Sequence, residues 1–124
     1  MNRLIFDLDN TICETHSGDY ENSIPRNGVI NKLKQYKSDG FEIVISTSRN
    51  MRTFNNNTGK ITAVTLPIII NWLNKNNIPF DEIYVGKPWC GTDGFYIDDR
   101  SIRPREFAEL SYNEIISLIK NDEK

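Results

Sequence analysis

Two aspartates separated by one residue, Asp7 and Asp9, stand just after the apolar run Arg3-Leu4-Ile5-Phe6. A second acidic pair, Asp98-Asp99, follows Phe95-Tyr96-Ile97. Between them lie Thr47, after the β-branched run Ile43-Val44-Ile45, and Lys87, after Ile83-Tyr84-Val85-Gly86. Residues i and i+2 on an extended segment point the same way, so Asp7 and Asp9 crowd their charges unless a cation intervenes. Carboxylates at Asp7, Asp98 and Asp99 offer hard oxygen ligands that suit Mg²⁺. Thr47 and Lys87 supply a hydroxyl donor and a positive point charge, which suit phosphate oxygens. A carboxylate can attack phosphorus, and a second can protonate the leaving alkoxide and then activate water. If these loops meet, the set suffices for phosphoryl transfer to water.

The elements between these residues must bring them together. Residues 3–6, 41–46, 83–85 and 95–97 read as strands. Residues 28–38 place Val29, Ile30 and Leu33 at helical spacing before the Asp39-Gly40 stop. Residues 65–76 read as a helix capped by Thr65, with Pro67 in its first turn. Ser111 and Glu114 have capping-box spacing and open a terminal helix through Lys120. Strands alternating with helices predict an α/β fold, a doubly wound parallel sheet. In such sheets ligands bind beyond the carboxyl ends of the strands, where Asp7, Thr47, Lys87 and Asp98 all stand. Polar segments 12–27 and 50–60 are expected to be loops.

The chain has 124 residues, which predicts one domain spanning 1–124. Fifteen Lys and Arg against 17 Asp and Glu give a net charge of −2. That balance excludes a basic footprint for nucleic acid and a polybasic membrane patch. The longest apolar run, Ile68-Ile69-Ile70, is far too short to span a bilayer. Asp7 interrupts the N-terminal apolar run, unlike a signal peptide. Cys13 and Cys90 are too few for a disulfide scaffold. A cytoplasmic protein with no membrane or nucleic-acid partner is expected.

Phe6-Asp7-Leu8-Asp9-Asn10-Thr11, Thr47, Lys87 and Asp98-Asp99 resemble, in order, the four motifs of the haloacid dehalogenase superfamily of phosphohydrolases. The resemblance spans residues 4 to 100. It implies that Asp7 forms an aspartyl-phosphate and that Asp9 is general acid, then base, with its backbone carbonyl reaching the metal. It implies that Thr47 and Lys87 hold phosphoryl oxygens, Lys87 also restraining Asp7. It implies that Asp98 ligates Mg²⁺, with Asp99 helping directly or through water. Thr11, Ser48 and Arg49 are candidate substrate contacts, although Arg49 could instead pair with a nearby acid. Segments such as Ser46-Thr47-Ser48-Arg49-Asn50-Met51-Arg52 and Gly86-Lys87-Pro88-Trp89-Cys90-Gly91 are similar to a small capsule-biosynthesis phosphatase group. That likeness implies a phosphorylated sugar or polyol as substrate. Neither 12–27 nor 50–82 is long enough for the cap domain common in the superfamily. A capless site is implied, with 12–27 as a flap and 50–60 as a substrate-facing loop. It would be closed by a neighbouring subunit in a homo-oligomer or be open to a macromolecular substrate.

Taken singly, each residue has a plainer reading. Asp7-Asp9-Asn10 could be a polar turn, Lys87 a solvated charge, and Asp98-Asp99-Arg100 a surface ion pair. His16 reads as a surface residue, and Trp89 and Cys90 line either the pocket or the core. Two other functions compete: a receiver-like regulatory module and a non-catalytic phosphate-binding subunit. In a receiver the phospho-accepting aspartate precedes the threonine and lysine in mid-chain. Here Asp98-Asp99 follow both. A binding module has no use for the acid at Asp9.

Overall fold

The computed structural model describes residues 2–16 and 18–121. Its centre is a three-stranded parallel sheet in the order β1 (Arg3–Phe6), β4 (Glu42–Thr47), β5 (Glu82–Val85). Phe6 pairs with Ile45, and Thr47 with Val85. This register sets Asp7, Thr47 and the turn after Val85 at one end of the sheet. β4 is central and carries Ile43, Val44 and Ile45, all buried, the unbroken β-branched run expected of a central parallel strand.

Side chains alternate across a strand, and the two sides of this sheet differ. Leu4, Phe6, Ile43, Ile45 and Ile83 face the core. The other side carries Arg3, Ile5, Glu42, Glu82 and Tyr84. Arg3 reaches across β4, pairing with Glu42 at 3.2 Å and Glu82 at 2.9 Å. Ile5 remains 65% exposed and Tyr84 is exposed as well.

α1 (Asn27–Ser38) buries Val29, Ile30, Leu33 and Tyr36, the stripe of an amphipathic helix. Gly40 ends it at φ 97°, with the Phe41 amide donating to Tyr36 O. α2 (Thr58–Lys75) buries Ile61, Thr65, Ile69, Trp72 and Leu73. It starts seven residues before the expected Thr65 cap, because Asn57 Oδ1 accepts from the Lys60 amide at 3.0 Å. Pro67 therefore lies inside the helix rather than in its first turn, and Thr58-Gly59-Lys60 belong to α2, not to the 50–60 loop.

The 12–27 segment is more ordered than a loop. β2 (Cys13–Glu14) and β3 (Ile24–Pro25) pair antiparallel, and a single 3₁₀ turn, Tyr20–Asn22, lies between them. The Trp72 indole N–H donates to Ser23 O at 2.9 Å, tying this flap to α2.

α3 (Pro104–Glu109) and α4 (Tyr112–Lys120) close the core. Phe107 stands edge-on to Phe6 at 5.1 Å and stacks on Tyr36 at 5.3 Å. The Ser111 and Glu114 capping box forms as expected.

The expected fourth strand does not form. Residues 95–97 pair with no strand, and Phe95 and Ile97 are 76% and 88% exposed. The outer edge of β1, where another parallel strand would lie, is free among the described residues.

Candidate active site

The loop after β1 is built by short-range hydrogen bonds. The amides of Thr11, Ile12 and Cys13 all turn back to Leu8 O, and Asn10 takes φ 60°, a conformation asparagine tolerates. Leu8 and Ile12 are buried and anchor the loop, leaving Asp7 and Asp9 to project.

Asp7 is the more open of the two. Thr11 Oγ1 donates to its Oδ2 at 3.5 Å, and Lys87 Nζ stands 3.8 Å from Oδ1. Burial pushes the Asp7 carboxyl above its ordinary value; the Lys87 charge and the Leu8 amide pull it back, and the Asp9 charge adds to the rise.

Asp9 is held on several sides. Arg49 Nε donates to Oδ2 at 3.0 Å, Arg49 Nη2 to Oδ1 at 2.7 Å, and Thr15 Oγ1 to Oδ1 at 2.6 Å. Such a fork fixes position as well as charge. The Arg49 side chain is only 2% exposed and lies over the Tyr20 ring at 4.2 Å. Its Nη1 is buried without a partner. Of the two roles expected for Arg49, the pairing with a nearby acid is formed, through Nε and Nη2 to Asp9, while the residue also lines the cavity over the site.

Thr47 is buried at the end of β4. The Arg49 amide donates to its Oγ1 at 3.1 Å, and the Lys87 amide to its carbonyl at the same distance. The second bond seats Lys87 beside Thr47. Gly86 takes φ 90°, and a Cβ there would come within 2.9 Å of Thr58 Cγ2, so this turn is built for glycine.

A cavity of about 380 Å³ opens over these groups. Asp7, Asp9, Ser48 and Arg49 line it, as do Tyr20, Arg52, Trp89, Cys90 and Tyr96. Thr11 stands outside the lining residues, its hydroxyl turned to Asp7. Trp89 and Cys90 thus belong to the cavity wall, and Arg52 lies over the Trp89 ring at 5.6 Å. Tyr20 carries no spacing signal; the flap hairpin delivers it. The Tyr96 ring covers Lys87 Nζ at 4.2 Å, and its hydroxyl donates to Pro88 O at 2.6 Å. A second cavity of about 390 Å³, between the 3₁₀ turn and α2, is lined by residues such as Glu21, Asn71 and Lys75 and holds no comparable pair of acids.

Asp98 and Asp99 are not part of this arrangement in the single chain. Both are exposed. The Asp98 carboxylate accepts from the Arg100 amide at 3.0 Å, and backbone hydrogen bonding within its own turn, first from Arg100, holds its carboxyl below the ordinary value. Among the described residues no three His, Cys, Asp or Glu side chains gather as a metal site. The donor set therefore fits a divalent cation in part: Asp7 offers a hard oxygen at the cavity, and the second acid stands apart. The physical reason is the missing fourth strand, which was expected to bring Asp98 to the same end of the sheet as Asp7, Thr47 and Lys87.

A family model described as haloacid dehalogenase-like hydrolase matches residues 4–79. No curated protein matches. Among solved structures, the chain is similar to a crystal structure of a structural-genomics target from Vibrio cholerae. Identity is 55%, coverage is 99% of this chain and 100% of that chain, and the TM-score is 0.97. No helix among the described residues is long and apolar enough to cross a membrane. The family match covers more than half of the chain and includes Asp7, Asp9 and Thr47, so the protein belongs to the haloacid dehalogenase-like hydrolases.

Proposed function

We propose that the chain is a Mg²⁺-dependent phosphatase that hydrolyses a small phosphate monoester through an aspartyl-phosphate at Asp7. The observation that carries this reading is the Asp7 carboxylate 3.8 Å from Lys87 Nζ, at the floor of a cavity it shares with Asp9. Burial raises the Asp7 carboxyl, and the Lys87 charge opposes that rise and favours the nucleophilic carboxylate form.

An Asp7 oxygen attacks phosphorus, and the bond from phosphorus to the leaving oxygen breaks. Asp9, positioned by Arg49 and Thr15, takes up a proton from solvent before the step and gives it to that leaving oxygen. Lys87 balances phosphoryl charge, and the Thr47 hydroxyl, already an acceptor for the Arg49 amide, has its own hydrogen free to donate. Water then attacks the phosphorus of the aspartyl-phosphate, Asp9 takes its proton, and Asp7 and inorganic phosphate are released. Asp7 and the Asp9 backbone carbonyl are the groups at the cavity that would hold Mg²⁺, with Asp98 and Asp99 as further ligands once brought to it; when bound, the ion would neutralise negative charge on the phosphoryl oxygens.

The capless cavity, walled by Tyr20, Trp89 and Tyr96, suits a small phosphorylated metabolite. A sugar or polyol phosphate of capsule or surface-polysaccharide biosynthesis is the proposed class, supported by the segment likeness at 46–52 and 86–91. A cytoplasmic setting, with no nucleic-acid or membrane partner, accords with the net charge of −2.

The test is phosphate release from a panel of sugar, polyol and nucleotide monophosphates, with Mg²⁺ and with chelator, beside Asp7→Asn. The expected outcome is Mg²⁺-dependent release that falls by several orders of magnitude in the variant while its circular dichroism is unchanged. Activity surviving in Asp7→Asn would remove the nucleophile assignment, and activity surviving chelation would remove the metal.

A further inference from the structure

We infer that the site is completed by a second copy of this chain, whose residues 95–98 add as a strand along the free edge of β1 and bring Asp98 beside Asp7. The inference rests on reading Asp7 and Asp98 as partners in one site.

An open edge at β1 and an unpaired strand-like segment are both present in one chain, the segment touching its own body through Tyr96, whose ring covers Lys87 Nζ and whose hydroxyl donates to Pro88 O. β1 pairs with β4 on one side and with nothing on the other. An open strand edge is a template for another chain. The sequence 95–97 has strand composition, yet Phe95 and Ile97 are 76% and 88% exposed. From Pro88 to Ile97 no described backbone-to-backbone hydrogen bond forms. Each end of this stretch is fixed to the body. The Lys87 amide bonds Thr47 O, and Phe107 packs on Phe6 and Tyr36.

Register makes the match specific. Setting Asp98 level with Asp7 in a parallel pairing sets Ile97 level with Phe6, Tyr96 with Ile5, and Phe95 with Leu4. Level residues in a parallel pair share a face. Phe95 and Ile97 then fall on the core side, beside Leu4 and Phe6, and Tyr96 on the side where Ile5 is bare. A shift by one residue would turn both apolar side chains outward. The same register that carries the acid to the site also buries the two most exposed apolar residues of the segment.

The chain's own connection is short for the task. Between Val85 and Phe95 lie residues 86–94, nine in all. A parallel crossover takes a dozen or more residues, and this one would start at β5 and pass β4 to reach the far side of β1. At Gly94 the chain also bends hard, since a Cβ there would strike the Cys90 carbonyl oxygen. Reaching a neighbour removes the crossover requirement. The relative from Vibrio cholerae aligns over 99% of this chain, this segment's length included, at a TM-score of 0.97.

Two measurements test the inference. Light scattering gives the mass in solution for the natural chain and for Ile97→Arg, which puts a charge on the face the pairing buries. The natural chain is expected at an even multiple of the chain mass, and Ile97→Arg at the single-chain mass with unchanged helical circular dichroism. A single-chain mass for the natural protein overturns the inference, as does an Ile97→Arg variant that keeps the multiple. This measurement does not depend on activity.

The second measurement mixes Asp7→Asn with Asp98→Asn, unfolds them together and refolds them. In a mixed two-fold pair, one site then holds both natural acids and the other holds neither. Each variant alone is expected near background, and the mixture is expected to regain about a quarter of natural activity toward p-nitrophenyl phosphate. No recovery, with an active natural protein refolded alongside, places both acids in one chain and overturns the inference. If the natural protein releases no phosphate, the phosphatase reading fails, and the mass measurement still decides the pairing.

Discussion

The acidic loop after β1 and the acidic pair before α3 look alike in the sequence and differ in almost every physical respect. Asp9 has its oxygens engaged by Arg49 and Thr15, and Asp7 is flanked by Thr11 and Lys87. Burial acts on Asp7 strongly enough to push its carboxyl upward. Asp98 bonds only within its own turn, and that turn is exposed. One acidic region is held by the chain that carries it. The other is presented outward, with apolar residues beside it that a single chain does not bury. Acidity alone therefore does not identify a metal site. The same residues count as ligands only where another element brings them into range.

The contrast is broken or sharpened by four substitutions, taken from the largest effect downward. Asp98→Asn should lower turnover by about 100-fold, the scale on which metal-site groups act, and leave the urea midpoint of the folded protomer unchanged. A fall in midpoint would mean that the bond Asp98 accepts from the Arg100 amide carries stability of its own. Arg49→Met should do the reverse in emphasis, because removing the fork leaves Asp9 without its charge partner. A loss of about 2 kcal/mol is expected by urea titration, below the figure for a fully buried pair because Asp9 is a quarter exposed. Arg49→Lys should recover little of it, since an ammonium cannot make both bonds. Full recovery would show that charge, not the fork, positions Asp9.

The smallest effect is a control placed at the far end of the sheet. Asp81 accepts from the Ile43 amide and from Lys37 Nζ, both at 2.8 Å. The Lys37 hydrogen bond and then the Ile43 amide hold its carboxyl below the ordinary 3.8. The folded value lies below the unfolded one, so the stabilisation is complete above 3.8 and is lost as pH falls through the depressed native value. Asp81→Asn should flatten that part of the stability curve measured by thermal melts from neutral to acid pH. A variant whose acid limb is unaltered would show that this contact gives no pH-dependent stability.

How far the sequence disclosed the molecule follows from where each signal resides. β1, β4, β5, α1 and α4 were legible because burial and caps are local to them. Ile43-Val44-Ile45 needs no context to read as a central strand, and Ser111 with Glu114 marks its own helix. The start of α2 was hidden in Asn55-Asn56-Asn57, where only the third asparagine caps. α3 left a quieter mark, Pro104 at its first position and Glu106 accepting from the Arg103 amide. Asp7 and Asp9 line one cavity, Lys87 stands beside Asp7 and Thr47 lies buried next to Lys87, all at the strand ends where the sequence set them. Tyr20 and Arg52 were not legible, because a flap hairpin and a turn set their places. Phe95-Tyr96-Ile97 was read as a strand on its composition. A strand also requires a neighbour to bond with, and sequence does not say whether that neighbour is in the same chain.

The two cysteines sit in opposite circumstances. Cys13 is buried beneath Asp9, and burial raises its thiol above the ordinary value. A thiol kept protonated is a poor nucleophile, so peroxide and alkylating reagents should pass it by. Cys90 is partly exposed on the cavity wall. A thiol-directed probe added to the natural protein would thus mark one position alone. Its labelling rate would register, without any substitution, whether the cavity is filled.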